Sequence, residues 1–531
     1  MLVLGKEMTL CRQFLTPLPK LIFRFLVVWL IAGAAILILW RMLERIGERE
    51  TGRKKPLHAS VVYLIIFAGF VPMWLINWPG TFTGDLSLQV KEFELGLLSQ
   101  SFPLLHTVFV GFFVTLGKSI FGSYNAGIAL AVFVQLLILS GILTYIVIFF
   151  DRRSAFPHAG RLLVLLFVLN PVCQLYSKDL VRDTLFSAFA MLTGFLIYSA
   201  AYETERIFSS WRGCLIFAAV MLMTLFLRNT AILLITIEFL LLAVKFLKEK
   251  RPESRKCLAL LIAVLAVWGV WKGFAADRAT LKNSVFDGVG GGEKEVLSVP
   301  IQQAVRAAYF NWNSLPQEDK NILLEMFSEA TIKDYDDDNA DVVKAAFDQN
   351  KFKEDWQKYS IEWLKLGMMY KRSYLEAFLV LNTEGYYPDT VLDGNGIYGK
   401  NTYYTSGTTG QGHPASLFPK AYNRLSKTFS SGKLLEPLPF KLFFSPAVML
   451  YILLFAVFYA LYVNRKGAII LLPALVIHIG DFFAPVVSLR YYLTSFIAAA
   501  PAIILVLSLS KGNLEVRSCS ATKNLNVSNA I

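Results

Sequence analysis

The chain has 531 residues, 55% of them hydrophobic and only 17% charged, and its mean hydropathy is +0.51. These proportions exclude a soluble enzyme, a secreted domain and a disordered scaffold, because the apolar residues come in uncharged blocks of about 15–25, the length that crosses a hydrocarbon core of about 30 Å. The net charge of +13 would suggest nucleic acid in a soluble protein, but in a polytopic membrane protein it is first a topology signal.

In chain order, the sequence predicts spans at about 25–40, 59–77, 126–150, 162–176, 184–202, 213–227, 229–244, 257–271, 442–463, 468–480 and 491–510. The expected fold class is an all-α polytopic membrane protein of about 11–13 transmembrane helices. The first block is too long for a signal-peptide core and reads as a retained helix. A shorter block, 104–117, reads as re-entrant or interfacial, because a crossing there would invert the charge pattern of the loops on one side of it. Cys11, Cys173, Cys214, Cys257 and Cys519 are scattered and offer neither zinc spacing nor a disulfide framework.

The positive-inside rule puts 22 basic residues in cytoplasmic loops, against six in the short outer ones: Lys91, Lys118, Lys178, Arg182, Arg228 and Arg490. The charge therefore reports orientation, and no nucleic-acid partner is expected. Lys6, Arg12, Lys20 and Arg24 fit poorly with the outer location that this scheme gives the N-terminus. The chain divides into an N-terminal helix with its basic loop (1–58), a transmembrane core (59–271), an extracytoplasmic domain (272–441), closing helices (442–510) and a cytoplasmic tail (511–531). The expected location is the plasma membrane.

In the outer domain a glycine-rich stretch, Gly288 to Gly292, leads into helical patterns at about 299–312, 317–330, 341–349 and 352–381, and an irregular loop follows from about 384 to 413. Asp334, Asp336, Asp338 and Asp341 lack the glycine and closing glutamate of a calcium loop and read as a solvated acidic turn.

Candidate chemistry sits on the outer side. The run Trp78-Pro79-Gly80-Thr81-Phe82-Thr83-Gly84-Asp85-Leu86-Ser87-Leu88-Gln89 places a carboxylate just after a span, where it is either a general base for an acceptor hydroxyl or a solvated loop aspartate. Asn170-Pro171 precedes Lys178-Asp179 and Arg182-Asp183, which on one helix would offer cations and carboxylates on adjacent faces or form two i,i+4 ion pairs. His106 opens the short block, Arg228 interrupts an apolar run, and Arg490-Tyr491 precedes the last span. Glu238, His478 and Asp481 are costly inside a bilayer and suit a coupled carrier, so a membrane transporter or lipid flippase is the main alternative. A non-catalytic envelope assembly or receptor protein is a third class.

In their order, these landmarks from about 59 to 510 resemble the GT-C superfamily of membrane glycosyltransferases, which includes protein O-mannosyltransferases and aminoarabinose transferases. The likeness is greatest to a bacterial branch of unknown function, DUF6020. Asp85 matches that superfamily's acidic residue in the first outer loop, and Ser101-Phe102-Pro103-Leu104-Leu105-His106-Thr107 matches its His-Pro-Pro-Leu-like element, with Phe102 where a first histidine is expected. Asn170-Pro171 with Lys178-Asp179, the late outer insertion and Arg490-Tyr491 complete the order. The resemblance implies inverting transfer of a sugar from a polyprenyl-phosphate donor to a cell-envelope acceptor. Asp85 would be the base, Lys178, Arg228 and Arg490 would hold the lipid phosphate, and Gln89, His106, Asp179 and Tyr491 would bind substrate. Whether Asp179 takes a divalent metal ion is left open.

Overall fold

A computed structural model describes residues 2–510 apart from 15, 48–55, 82–83, 97–101, 251–252, 279–295, 391–402, 406–407, 411–415, 432–436 and 464. The stretch Gly288 to Gly292, most of the 384–413 loop beyond Thr390 and the tail 511–531 lie outside the described residues. The chain is an all-α polytopic membrane protein. Among the described residues eight helices are long and apolar enough to cross a bilayer, and nine if a broken pair counts as one span.

The bundle begins with α1 (Leu2–Leu10), α2 (Leu18–Gly47) and α3 (Ala59–Ile76), followed by α4 (Gly84–Leu95), α5 (Leu104–Phe121) and α6 (Tyr124–Arg153). Next come α7 (Ala159–Leu169), α8 (Pro171–Ser177), α9 (Arg182–Tyr202), α10 (Thr204–Phe208), α11 (Trp211–Leu227), α12 (Ala231–Lys248) and α13 (Glu253–Arg278). The predicted span 162–176 is α7 plus α8, bent by 61°. Its break is written in Asn170-Pro171: Asn170 Oδ1 caps the amides of Val172 and Cys173, and proline fits the first turn because its missing N–H needs no partner there.

Helix ends fix the direction of each segment. The Leu57 amide donates to Asp151 Oδ2 at 2.8 Å, so the start of α3 meets the end of α6. The other end of α3 meets the beginning of α6, since Gly80 faces Val132 and Ile128. The chain therefore leaves α3 and enters α6 at one end of the bundle, the near end, with α4 and α5 between them. The 18 residues of α5 are long and apolar enough to cross a bilayer, where the sequence reading made 104–117 re-entrant or interfacial. The α5–α6 hairpin is tight because Gly117 and Gly127 let the two backbones touch; a Cβ on either would collide with the opposite main chain. By contrast, α4 falls in a stretch read as loop. Its Leu86 and Val90, four residues apart, are buried in the main core and hold this otherwise polar helix in place.

At the far end, Arg153 donates to both Glu203 oxygens at 2.8 and 2.7 Å, and the hydroxyls of Ser154 and Ser508 meet. The inserted domain packs at the near end around α14 (Ser298–Asn311), with α15 (Lys371–Leu381) and the single turn α16 (Thr383–Tyr386). The predicted helix 352–381 is three pieces, Gln349–Glu354, Trp356–Met369 and α15, because the Asp355 side chain turns back to cap Lys358 N and starts a new helix. Strands β1 (Tyr403–Thr405) and β2 (Thr408–Gly410) form a short antiparallel hairpin. The chain closes with α17 (Pro419–Ser430), α18 (Leu438–Phe444), α19 (Pro446–Val463), a 3-10 turn leading into α20 (Leu472–Gly480), and α21 (Leu493–Ser510).

The N-terminal segment lies against the inserted domain, which accounts for one of its cations, Arg12. Arg12 pairs with Asp337 and Asp338, Arg24 pairs with Glu7, and the fully buried Arg306 joins Asp337, Glu376 and the Arg12 carbonyl. The acidic run 334–341, expected to be solvated, is thus in part a clasp for arginines.

Candidate functional site

Four parts of the chain converge at the near end. After α3, the turn 77–81 is held by Trp74 Nε1 donating to the Pro79 carbonyl at 2.9 Å and by the Thr81 amide donating to the Lys178 carbonyl at 3.2 Å. Gly80 has φ +140°, and an added Cβ would meet Val132 and the Lys178 carbonyl, so a side chain there would force the two loops apart. Gln135 of α6 donates to the carbonyls of Ser177 and Asp179 at 3.0 and 2.9 Å, fixing the α8–α9 loop from the other side. These contacts set the positions from which α4, α5, α9 and the residues before α21 face one another.

The result is a small cleft, with about 10 Å³ of free volume, lined by Asp85, Leu86, Gln89, Phe102, His106, Leu180, Val181, Arg182, Asp183 and Arg490. Asp85 and Gln89 are four residues apart on α4 and so share a face. Arg490 Nη1 donates to Asp85 Oδ2 at 3.1 Å, and the guanidinium lies over the Tyr491 ring and reaches its hydroxyl at 3.3 Å. Burial disfavours the Arg490 cation, but Tyr491, Asp183 and Asp85 outweigh it and hold the group above its ordinary pKa. His106 is buried, with Nδ1 at 2.8 Å from Gln89 Oε1. With Gln89 Oε1 as the acceptor Nδ1 is the donor, and Nε2 has no hydrogen-bond partner among the described residues. Asp183 Oδ1 is buried with no hydrogen bond among the described residues and lies 3.7 Å from Arg228 Nη1 in an ion pair. The cleft therefore offers hydrogen-bond acceptors together with two arginines.

The sequence-predicted residues divide into two groups. Asp85, Gln89, His106 and Arg490 meet in the cleft, while Lys178, Asp179, Arg228 and Tyr491 stand behind it. Lys178 is fully buried, with Nζ 2.5 Å from Thr81 Oγ1 and 2.6 Å from Asp179 Oδ1. The single helix assumed for 178–183 is corrected: α8 ends at Ser177 and α9 starts at Arg182, so Lys178 and Arg182 share no face. Arg228 donates to Asp481 Oδ1 at 2.8 Å and lies over the rings of Phe186 and Tyr491. Tyr491 is thus flanked by two guanidiniums, Arg228 and Arg490.

Arg182 and Asp183, marked in the sequence together with Lys178-Asp179 as a charged constellation, also line the cleft, while Lys178 and Asp179 do not. Among the described residues no cluster of three or more histidine, cysteine, aspartate or glutamate side chains is placed to hold a metal ion. Glu238 bonds Thr193 at 2.7 Å and His478 bonds Ser495 at 2.8 Å, both within packed helices, and neither lines the cleft.

A family model described as a family of unknown function, DUF6020, matches residues 94–521. No curated protein and no solved structure matches the chain.

Proposed function

The chain belongs to the DUF6020 family of unknown function, and from its cleft we propose that it is an integral membrane glycosyltransferase of the GT-C kind. In this reading it moves a sugar from a polyprenyl-phosphate donor to a cell-envelope acceptor. The observation that carries the proposal is the Asp85–Arg490 pair facing a cleft whose other polar groups are Gln89, Arg182, the His106 Nε2 acceptor, which has no hydrogen-bond partner among the described residues, and Asp183, which is ion-paired with Arg228. A sugar phosphate is complementary to that set, with hydroxyl donors for the acceptors and an anion for the arginines.

In this proposal the cleft and the inserted domain face outward from the plasma membrane; the cations Arg41, Arg45, Arg152, Arg153, Arg161, Lys245 and Lys248, read as cytoplasmic by the positive-inside rule, support that reading. An entering phosphate competes for Arg490 and frees Asp85 from its ion pair. The acceptor hydroxyl oxygen then attacks the anomeric carbon as its proton passes to Asp85, and the bond from that carbon to the phosphate oxygen breaks. The electron pair leaves with the lipid phosphate, whose added negative charge Arg490 and Arg182 stabilise. One base suffices for such an inverting displacement. Lys178, expected to hold the phosphate, instead supports the site by binding the turn 77–81 to the α8–α9 loop, and Arg228 supports it through Asp183.

The test is reconstitution of the full chain with labelled polyprenyl-phosphate sugars, measuring donor consumption. Donor loss with wild type but not with Asp85→Asn supports the proposal; full activity of Asp85→Asn defeats it.

A further inference from the structure

The inserted segment returns to the membrane through α17 and α18, and neither takes part in the cleft. The twelve residues of α17, about 18 Å of helix, contain three cations and no acid. Lys420, Arg424 and Lys427 repeat at i, i+4 and i+7, so they form one row, and all three are exposed. The opposite face, Tyr422, Leu425 and Phe429, packs against the main core of the bundle.

Both ends of this helix are tied to the ends of spans. Just before it, Ser416 Oγ donates to the Ile76 carbonyl at 2.5 Å and the Leu417 amide to the Leu75 carbonyl at 3.3 Å, at the last turn of α3. Near its other end, Phe429 packs edge-on against Phe444, two residues before α19 begins. A helix fastened at both points lies across the near end of the bundle, at the depth where hydrocarbon gives way to headgroups. The surfaces beside the basic row are apolar: Leu417 and Phe418 before α17, and Phe440 and Phe443 in α18, are all exposed. Water-facing cations alone would need no such neighbours, whereas a surface seated in the interface needs both.

We propose that α17 and residues 416–418 before it form a lipid-binding rim, in which Lys420, Arg424 and Lys427 bind the phosphates of anionic phospholipid headgroups while Leu417 and Phe418 insert beneath them. The rim adds specific charge recognition to the general hydrophobic contact that every span makes, and it acts independently of any reaction in the cleft.

The test uses the full chain in nanodiscs of phosphatidylcholine carrying traces of spin-labelled phosphatidylglycerol or phosphatidylcholine, with the motionally restricted fraction read by electron paramagnetic resonance. Wild type should prefer phosphatidylglycerol, and K420Q/R424Q/K427Q should lower that preference at least two-fold. The charge-preserving K420R/R424K/K427R should keep it, and inorganic phosphate at constant ionic strength should not displace the lipid. An unchanged preference in the neutral variant overturns the proposal. So does equal loss in the charge-preserving variant, and displacement by phosphate would mark a site for soluble anions instead.

Discussion

Two arginine–aspartate pairs lie close together at the near end, yet their settings are opposite. Arg490–Asp85 spans the cleft at 3.1 Å with side chains 28% and 47% exposed, whereas Arg228–Asp481 closes at 2.8 Å with 13% and 4%. An exposed pair is worth about 0–1 kcal/mol, so an arriving anion can replace Asp85 on Arg490 at little cost. Breaking a buried pair from one side costs about 3–5 kcal/mol, because the abandoned charge has neither water nor a partner. The same two residue types thus make an exchangeable contact in one place and a fixed one in the other. The fixed pair also supports the exchangeable one, since Arg228 and Arg490 hold Tyr491 between them.

The comparison breaks most readily at Arg228. Arg228→Leu leaves Asp481 and Asp183 buried without their cation, and a loss of about 3–5 kcal/mol is expected in thermal melts of the detergent-solubilised chain. Adding Asp481→Leu should restore a good part of that stability; a single variant that melts like wild type would place the pair in the inexpensive class. Asp85→Asn should do the reverse, changing stability by no more than about 1 kcal/mol while lowering transfer roughly 10²–10⁴-fold. Arg490→Lys keeps the charge but loses the planar fork and the stacking on Tyr491. Removing charge-assisted hydrogen bonds of about 1.5–3 kcal/mol predicts a roughly 10- to 100-fold drop in kcat/KM; unchanged donor kinetics would show that Arg490 meets no phosphate.

This contrast was not visible in the sequence, although much of the fold was. Uncharged blocks locate spans because a bilayer penalises every interruption, but the single span expected at 162–176 ran through Asn170-Pro171, where the chain breaks into α7 and α8. What stayed hidden depended on contacts between distant segments. The motif around Asp85 is local, but its partner Arg490 lies 405 residues away. Lys178, Arg182 and Arg228 all read alike as outer cations. Only packing decides that Lys178 is locked to Thr81, that Arg228 belongs to Asp481, and that Arg182 lines the cleft. Helix α4 was missed because its polar residues mask a short apolar face that only the assembled bundle buries.

The finest distinction concerns His106, which faces the cleft between the exchangeable pair and the buried one. Its Nδ1 is used by Gln89, and Nε2 is a buried acceptor without a hydrogen-bond partner among the described residues. A ligand hydroxyl that donates to Nε2 would satisfy it, for a net gain of about 0.5–1.5 kcal/mol. His106→Asn offers its amide N–H₂ to Gln89 but removes that acceptor, so the expected loss is about 2- to 10-fold in kcat/KM with little change in melting temperature. The purely structural role predicts the opposite pattern, lower stability with unaltered kinetics. A donor lacking one sugar hydroxyl separates the two further, since it should discriminate between wild type and His106→Asn only if that hydroxyl meets Nε2. Equal discrimination by both proteins against every deoxy donor would remove His106 from the binding surface and leave the cleft's specificity to Asp183 and the arginines.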